Sequence, residues 1–389
     1  MKLYGSISQV GNINVGPYNI YNTYSLAGGF PYGSLGGLTA NTGAVSPTLK
    51  PELTKEIEFG AEISFFHDRL YFNYSHYSQH DKNQTVSVGT SIATGYSSQL
   101  INVGETLSYG NELTVKGDIL TQQANKFGLS LEVDLSNNEG RLLSLIPGTN
   151  SLSLGNNEYA VVGLPFPYLE GTDFQRDPQG RVVVSATSGY PLQDATGIHG
   201  FGRTTPEYIA SVKPTLSYKF VSLSALFEYR GGYVVYNALG STMVFAGSSA
   251  LTAEAGRQRF IYPNSVIETA PGVYTPNTSI SVVNGQYGFW QGSNFSQTQS
   301  PFVTSGAFWK LRELALNFNL NKFVKESKFI KGASITFTGR NLFIWTPKSN
   351  IWTDPEFSNA GPNGTTPGVN DTNQLPGTRV YGADLKLTF

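Results

Sequence analysis

Glu56-Ile57-Glu58-Phe59-Gly60-Ala61-Glu62-Ile63-Ser64-Phe65-Phe66 is the stretch on which the fold turns. Ile57, Phe59, Ala61, Ile63 and Phe65 fall on one parity, and Glu56, Glu58, Gly60, Glu62 and Ser64 on the other. A period of two is the pattern of an extended strand, because successive side chains point to opposite faces. Carboxylates on one face and apolar residues alone on the other imply two unlike surroundings, lipid outside and an aqueous lumen inside.

The pattern recurs along the chain. Leu113, Val115, Gly117 and Ile119 alternate with Glu112, Thr114, Lys116 and Asp118, and Phe127, Leu129, Leu131, Val133 and Leu135 alternate with Gly128, Ser130, Glu132 and Asp134. Tyr208, Ala210, Val212, Leu216, Tyr218 and Phe220 hold one parity, interrupted by Pro214, which cannot donate to a ladder and predicts a bulge. Parity then switches at Val221, which predicts a tight turn around Phe220 and Val221. Leu314, Leu316, Phe318 and Leu320, then Ala333, Ile335 and Phe337, then Tyr381, Ala383, Leu385, Leu387 and Phe389 continue the series. Leu3 to Gln9 and Leu70 to Tyr77 complete it.

The connections alternate in length. Long ones fall at about 11–55, 80–108, 138–206, 231–307 and 345–378, and short ones at His67-Asp68, Gln122 to Asn125, Phe220-Val221 and Asn321 to Lys331. Membrane barrels show this alternation, with short turns at one end and long loops outside. The expected fold is therefore all-β: an antiparallel transmembrane β-barrel segment of about ten strands. A soluble sandwich would have shorter strands and a face rich in Lys and Glu in place of Thr, Ser and Asn.

Composition agrees. The 389 residues carry 26 basic and 27 acidic side chains, a net charge of −1, which excludes the basic excess of a nucleic-acid binder. Only 14% are charged, against about 25% in ordinary soluble domains. The absence of cysteine excludes disulfides, iron–sulfur clusters and Cys-ligated zinc. No stretch reaches the roughly 18 apolar residues of a membrane helix, so a membrane crossing must be made by strands. The start, Met1-Lys2-Leu3-Tyr4-Gly5-Ser6, lacks the apolar core of a signal peptide, so either the signal has been removed or the chain is a fragment.

Acid–base chemistry has few candidates. His76 and His80 share a face but lie about 13 Å apart at roughly 3.3 Å per residue, too far for one metal. His67-Asp68 is explained as turn chemistry, His199 stands alone, and His80-Asp81 is the one Asp–His pair with a claim to rim catalysis. No nucleophile motif or phosphate loop accompanies it, and neither an enzyme nor a cofactor is expected. Glu56, Glu58 and Glu62 form an acidic column that needs basic partners, for which Lys116, Arg230 and Arg340 are candidates. Tyr233, Tyr236, Phe289, Trp290 and Trp352 offer flat faces in the long loops for a sugar ring or a peptide side chain, the alternative being that they pack the loops together. Trp345 follows a strand directly and reads as part of an interfacial aromatic girdle.

Several segments, in order, resemble the SusC/RagA-type TonB-dependent transporters of the Bacteroidetes outer membrane. They are Leu49-Lys50-Pro51-Glu52 with Glu58-Phe59-Gly60, Phe65-Phe66-His67-Asp68-Arg69-Leu70, and Asn102-Val103-Gly104-Glu105 with Gly110-Asn111-Glu112-Leu113. Phe308-Trp309-Lys310-Leu311-Arg312, Asn341-Leu342-Phe343-Ile344-Trp345-Thr346, Asp354-Pro355-Glu356 and Arg379-Val380-Tyr381 follow. The resemblance implies a plugged barrel of about 22 strands, of which this chain supplies the carboxyl-terminal part. It implies nutrient import of an oligosaccharide or peptide across the bacterial outer membrane, lipid around the barrel, and a SusD-like surface lipoprotein over the loops. Energy would come from TonB–ExbB–ExbD through an amino-terminal region that has no counterpart here, which makes the chain an expected fragment of a longer protein. The alternating final strand, with Tyr381, Leu385, Leu387 and Phe389, is the pattern that barrel assembly machinery reads. A scaffolding role in a larger outer-membrane complex is the competing expectation.

Overall fold

The computed structural model describes all residues except 14, 19, 22, 33, 34, 122, 124, 125, 294, 357–366, 373, 374 and 376, and for side chains also excepts 29–32 and 35. Ten strands form one antiparallel meander in which each strand pairs with its neighbour in the series. They are β1 (Lys2–Asn12), β2 (Glu52–Phe65), β3 (Leu70–Lys82), β4 (Glu105–Leu120) and β5 (Phe127–Ser144). After them come β6 (Tyr208–Tyr218), β7 (Val221–Gly231), β8 (Phe308–Asn319), β9 (Gly332–Trp345) and β10 (Val380–Thr388). Among the described residues β1 and β10 are each paired on one side only, so the sheet is an open arc.

Register converts the alternation into two surfaces. Ile63, Phe72, Val115, Val133, Val212, Phe227, Leu311 and Phe343 are successive cross-strand partners, an unbroken apolar row from β2 to β9. One residue away runs the opposite face: Lys2, Glu62, Asn73, Thr114, Asp134, Ser211, Glu228 and Lys310. A slip of one residue in any strand would put a charge among the aliphatics, and that cost is what holds the register.

Turns and ends refine the expected pattern. The hairpin from β6 to β7 closes on Lys219 and Phe220, with Lys219 at φ 54°, one residue earlier than expected. Pro214 leaves a gap in the β6–β7 ladder but makes no bulge, since Val212↔Phe227 and Thr215↔Ser224 keep the same register on either side. Phe66, His67 and Asp68 take left-handed backbone in the turn after β2. Three of the four residues at 122–125 lie outside the described residues, as does part of 345–378. Several strands outrun their apolar pattern: β3 continues to Lys82, β4 begins at Glu105 and β5 continues to Ser144. Apolar alternation stops where lipid stops, but the hydrogen-bond ladder does not.

The buried core lies in the loops. Phe174, Val182 and Val184 from the β5–β6 connection pack with Val244, Val282, Phe289, Trp290, Phe295 and Phe302 from the β7–β8 connection. Val182–Val183 pairs in parallel with Ser265–Val266, which joins the two loops by backbone. Val234–Asn237 is sandwiched between Val303–Ser305 and Val369–Asn370, which brings in the last loop. Strands of the sheet place their apolar side chains in lipid, whereas loops in water must bury theirs against one another.

Candidate functional site

The polar face is held by ion pairs made strand to strand. Lys2 Nζ meets Glu62 at 2.9 Å, Lys116 Nζ meets Glu132 at 2.8 Å, and Arg340 Nε meets Glu313 at 3.0 Å. Lys116, Arg230 and Arg340 are therefore not the partners of the acidic column: Lys116 and Arg340 each meet a carboxylate on an adjacent strand, and Arg230 meets Glu228 of its own strand and Glu356 of the last loop. Between these pairs Asp134 accepts hydrogen bonds from Thr114 and Ser211, both at 2.8 Å. Glu56 and Glu58 line an open cavity of about 450 Å³ together with Glu112 of β4.

At one end of β7 and β8 stands a denser network. Lys310 is nearly buried, and its ammonium meets Asp354 at 2.6 Å and Glu356 at 2.5 Å. Arg312 donates to both oxygens of Glu356 at 2.6 Å and to both oxygens of Glu228 at 2.6 and 3.1 Å. Arg230 joins through Glu228 at 2.6 Å and Glu356 at 3.3 Å. The rings of charge close over Phe308, which has Arg230, Lys310 and Arg312 within 6.0 Å of its centroid. Burial alone would raise the Glu356 carboxyl, but hydrogen bonds from Arg312 and Lys310 outweigh it and hold the group down at about 2.

A bulge aims Arg312 into this network. Leu226 pairs with Glu313 and Phe227 with Leu311, so Arg312 is an extra residue on β8. Across the other edge, β9 answers with Asn341 at φ 53° and with Leu342, whose side chain is buried. The extra residues add twist and keep Phe308, Lys310 and Arg312 on the polar side although Leu314, Leu316 and Phe318 below them face outward. Sequence reasoning quoted Lys310-Leu311-Arg312 and Asp354-Pro355-Glu356 separately and missed that they meet. The available signal was charge: two bases and two acids at matching i, i+2 spacing in a chain with few charges.

The loop aromatics are mostly structural. Phe289 is 0% exposed, with Trp290 at 4.7 Å, Phe260 at 4.9 Å and Phe295 at 5.1 Å between ring centroids. Trp290 and Tyr233 are buried, Tyr236 is half-buried against the same cluster, and Trp352 packs at a tilt against Phe302, 5.7 Å between centroids. Trp352 also lies flat on Gly240, where an added Cβ would come within 2.6 Å of the indole. The faces of Phe289, Trp290 and Tyr233 are thus covered by protein, which corrects their reading as stacking faces for a ligand. The physical reason is that loops this long bury their largest apolar surfaces to fold at all. Trp345 is 51% exposed beside Phe343, and Trp309 lies against Tyr229, which makes an outward aromatic band at this end of the sheet. Phe65, Phe127 and Tyr218, and Phe220 with Phe323, make another at the opposite end.

His80 and Asp81 do not form a pair. Neighbours on a strand point to opposite faces. His80 meets Glu105 at 2.9 Å, while Asp81 accepts from Thr54 at 2.6 Å and from Thr106 at 3.2 Å. His76 bonds Asn111 at 2.9 Å, and His199 lies 2.9 Å from Asp194. No group of His, Asp or Glu able to hold a metal ion occurs among the described residues. Tyr381, Leu385 and Leu387 extend the outward apolar face on β10, opposite Gly339, Ile335 and Ala333, and Phe389 follows the strand with its side chain exposed.

Residues 1–342 match the family described as TonB dependent receptor-like, beta-barrel. TonB-dependent receptor P26 of Formosa agariphila is 26% identical over 422 aligned residues, which take in all of this chain and 40% of that protein. TonB-dependent receptor P3 of the same organism is 21% identical over 425, with 100% and 39% covered. The solved structure of the RagAB peptide transporter superposes on all of this chain and 40% of its own with a TM-score of 0.70 at 19% identity, a likeness of fold. The RagAB peptide importer in the open-open state gives 0.67 at 19% identity, with the same shares covered. The chain spans about two fifths of the length of the curated relatives it matches.

Proposed function

Because this chain belongs to the TonB dependent receptor-like β-barrel family of the outer membrane, whose members are receptors and transporters and not enzymes, we propose that it forms ten strands of a larger plugged barrel that imports an oligosaccharide or peptide. The observation that carries this reading is the two-faced sheet whose β1 and β10 have, among the described residues, no partner on their outer edges. An open sheet edge in hydrocarbon would leave a row of backbone donors and acceptors without partners, so further strands must close it. About 22 strands give a lumen wide enough for an internal plug.

The folded loops support the second half of the proposal. Three connections join into one body, clamped to the barrel wall by Lys310, Arg312 and Glu356. Such a body presents a broad surface on which a SusD-like lipoprotein closes, and TonB–ExbB–ExbD supplies the energy. Uptake of labelled oligosaccharides and peptides by cells with and without the intact gene, and with and without TonB, tests the reading. Loss of uptake of one cargo class in both mutants is expected; undiminished uptake of every class in the gene deletion would overturn it. Purification of the full protein from its native membrane should also recover a surface lipoprotein.

A further inference from the structure

The short connection from β8 to β9 repeats a four-residue unit. Lys322-Phe323-Val324-Lys325 is followed, after Glu326 and Ser327, by Lys328-Phe329-Ile330-Lys331, so each aromatic–aliphatic pair stands between two lysines. Turns ordinarily draw on Gly, Pro, Asn, Asp and Ser. This one carries four bases against one acid, and its Phe323 and Phe329 are 66% and 80% exposed.

The turn is fastened to the sheet at both ends. The Leu320 N–H donates to the Ala333 carbonyl at 2.8 Å, the Lys331 N–H to that of Thr388 at 2.6 Å, and the Ala333 N–H to Asn321 Oδ1 at 2.9 Å. One helical turn, Asn321–Val324, sets Phe323 edge-on against Phe220 of the neighbouring hairpin, 5.4 Å between centroids. The connection therefore continues the outward apolar surface of the barrel instead of standing apart from it.

Its charge is uncompensated. Among the described residues Lys322, Lys325, Lys328 and Lys331 make no ion pair, with Glu326 or with any other acid. Lys331 Nζ reaches only the Lys328 carbonyl, at 3.4 Å. At the other end of these strands Arg230, Lys310 and Arg312 are matched by Glu228, Asp354 and Glu356. Asp68, in the turn after β2, lies five strand spacings away, about 24 Å along the sheet, against a Debye length of roughly 8 Å.

Position selects the occupant. The turn sits where the outward apolar face ends, away from the long loops, which is the level of the lipid headgroups. Lysine stems lie along apolar surface while their ammoniums reach the headgroups, and aromatic rings settle at the acyl boundary. A zwitterionic headgroup brings its own cation, whereas an anionic one brings a phosphate that four unpaired lysines can take. A soluble acidic partner would satisfy the lysines and leave both rings in water.

We propose that residues 322–331 form a binding site for anionic phospholipid in the leaflet at the short-turn end. The four ammoniums take the phosphates, and Phe323 and Phe329 enter the boundary between headgroups and acyl chains. The proposal rests on the barrel reading only in taking the outward face as the lipid face.

The test uses the full-length protein, stripped of native lipid in detergent and titrated with phosphatidylglycerol or phosphatidylethanolamine, with bound lipid counted by native mass spectrometry. Phosphatidylglycerol should bind at least tenfold more tightly. K322Q/K325Q/K328Q/K331Q should abolish that preference, since each lysine near an anionic surface contributes about fivefold; K325Q/K328Q serves if the fourfold variant fails to fold. In vesicles, the added indole of F329W, read as the difference from wild type, should be quenched by chain-brominated phosphatidylglycerol and shielded from acrylamide. Equal affinity for the two lipids, a preference that survives the lysine substitutions, or an indole reached by acrylamide and not by bromine overturns the proposal. Since no uptake is measured, failure here leaves the import reading intact, and failure of import leaves this site intact.

Discussion

Arg312 grips Glu356 through two parallel hydrogen bonds of 2.6 Å, and the same guanidinium grips Glu228 from the other side. Glu228 belongs to the barrel wall and Glu356 to the last loop, so one side chain on a bulge ties a loop to a strand. Paired, bidentate geometry is the arrangement in which an ion pair exceeds the small contribution typical of exposed ones.

Removing one partner should free the loop and leave the sheet folded. E356Q or R312Q is expected to cost about 2–3 kcal/mol of local stability, since each leaves partly buried charge unpaired. Limited proteolysis within 345–378 should accelerate at least tenfold while the heat-resistant electrophoretic mobility of the barrel is unchanged. Equal proteolysis of both forms would refute it.

The clamp should respond to acid. Glu356 is held at about 2, below the ordinary carboxylate value of 4.5. A depressed folded value means that its stabilisation is complete above pH ~4.5 and is lost as pH falls from there through ~2. Trp352 reports it, since it packs on Phe302 from the same loop. Its emission should shift over that window in the wild type and not in E356Q.

Glu158 should behave in the opposite sense. It is 0% exposed, its carboxyl oxygens make no hydrogen bond, and burial pushes it up to about 8 with only the Thr204 hydroxyl beside it to offset the shift. A raised acid keeps its proton when folded, so stability falls as pH rises from ~4.5 to ~8. E158Q should stabilise the loop body by about 2 kcal/mol at pH 8 and hardly at all at pH 4.5. Hydrogen exchange of Glu158–Val161 and Tyr168–Gly171 at the two pH values measures the difference.

The face assignment can be checked with adjacent residues. Leu131 lies on the outward parity and Ser130 on the inward one of β5. Arginine at 131 should cost about 2–4 kcal/mol at mid-depth in the bilayer, and arginine at 130 much less. The folded fraction in a urea titration in lipid vesicles should fall for L131R first; the reverse order would invert the barrel.

Phe289 should act on folding and not on recognition. F289A removes a fully buried ring and is expected to cost about 3–5 kcal/mol. The loops it joins should become protease-sensitive together, because Phe174 and Phe302 share its core. A variant with intact loops and weakened cargo binding would return Phe289 to the binding surface.

Much of the sheet was legible without coordinates. Ile57, Phe59 and Ile63 against Glu56, Glu58 and Glu62 state strand, face and environment within eleven residues, because pleat and parity are local properties of the backbone. The same rule fails at Arg312, where a bulge shifts parity by one and no run of sequence announces it. Pro214 warned of a bulge that the ladder does not make. Among the loop aromatics, composition identified Phe289, Trp290 and Tyr233 correctly as large flat surfaces but was silent on what covers them.

From its residues alone this protein is a two-faced antiparallel sheet with short turns at one end and long loops at the other. That much depends on side chains a few positions apart. Its tertiary structure alone decided that Lys310 and Arg312 meet Asp354 and Glu356, that the loops share one core, and that Glu56, Glu58 and Glu112 line one open cavity. Partners 40 or more residues apart are selected by register, bulge and burial acting together, and those are settled only when the whole chain competes for the same space.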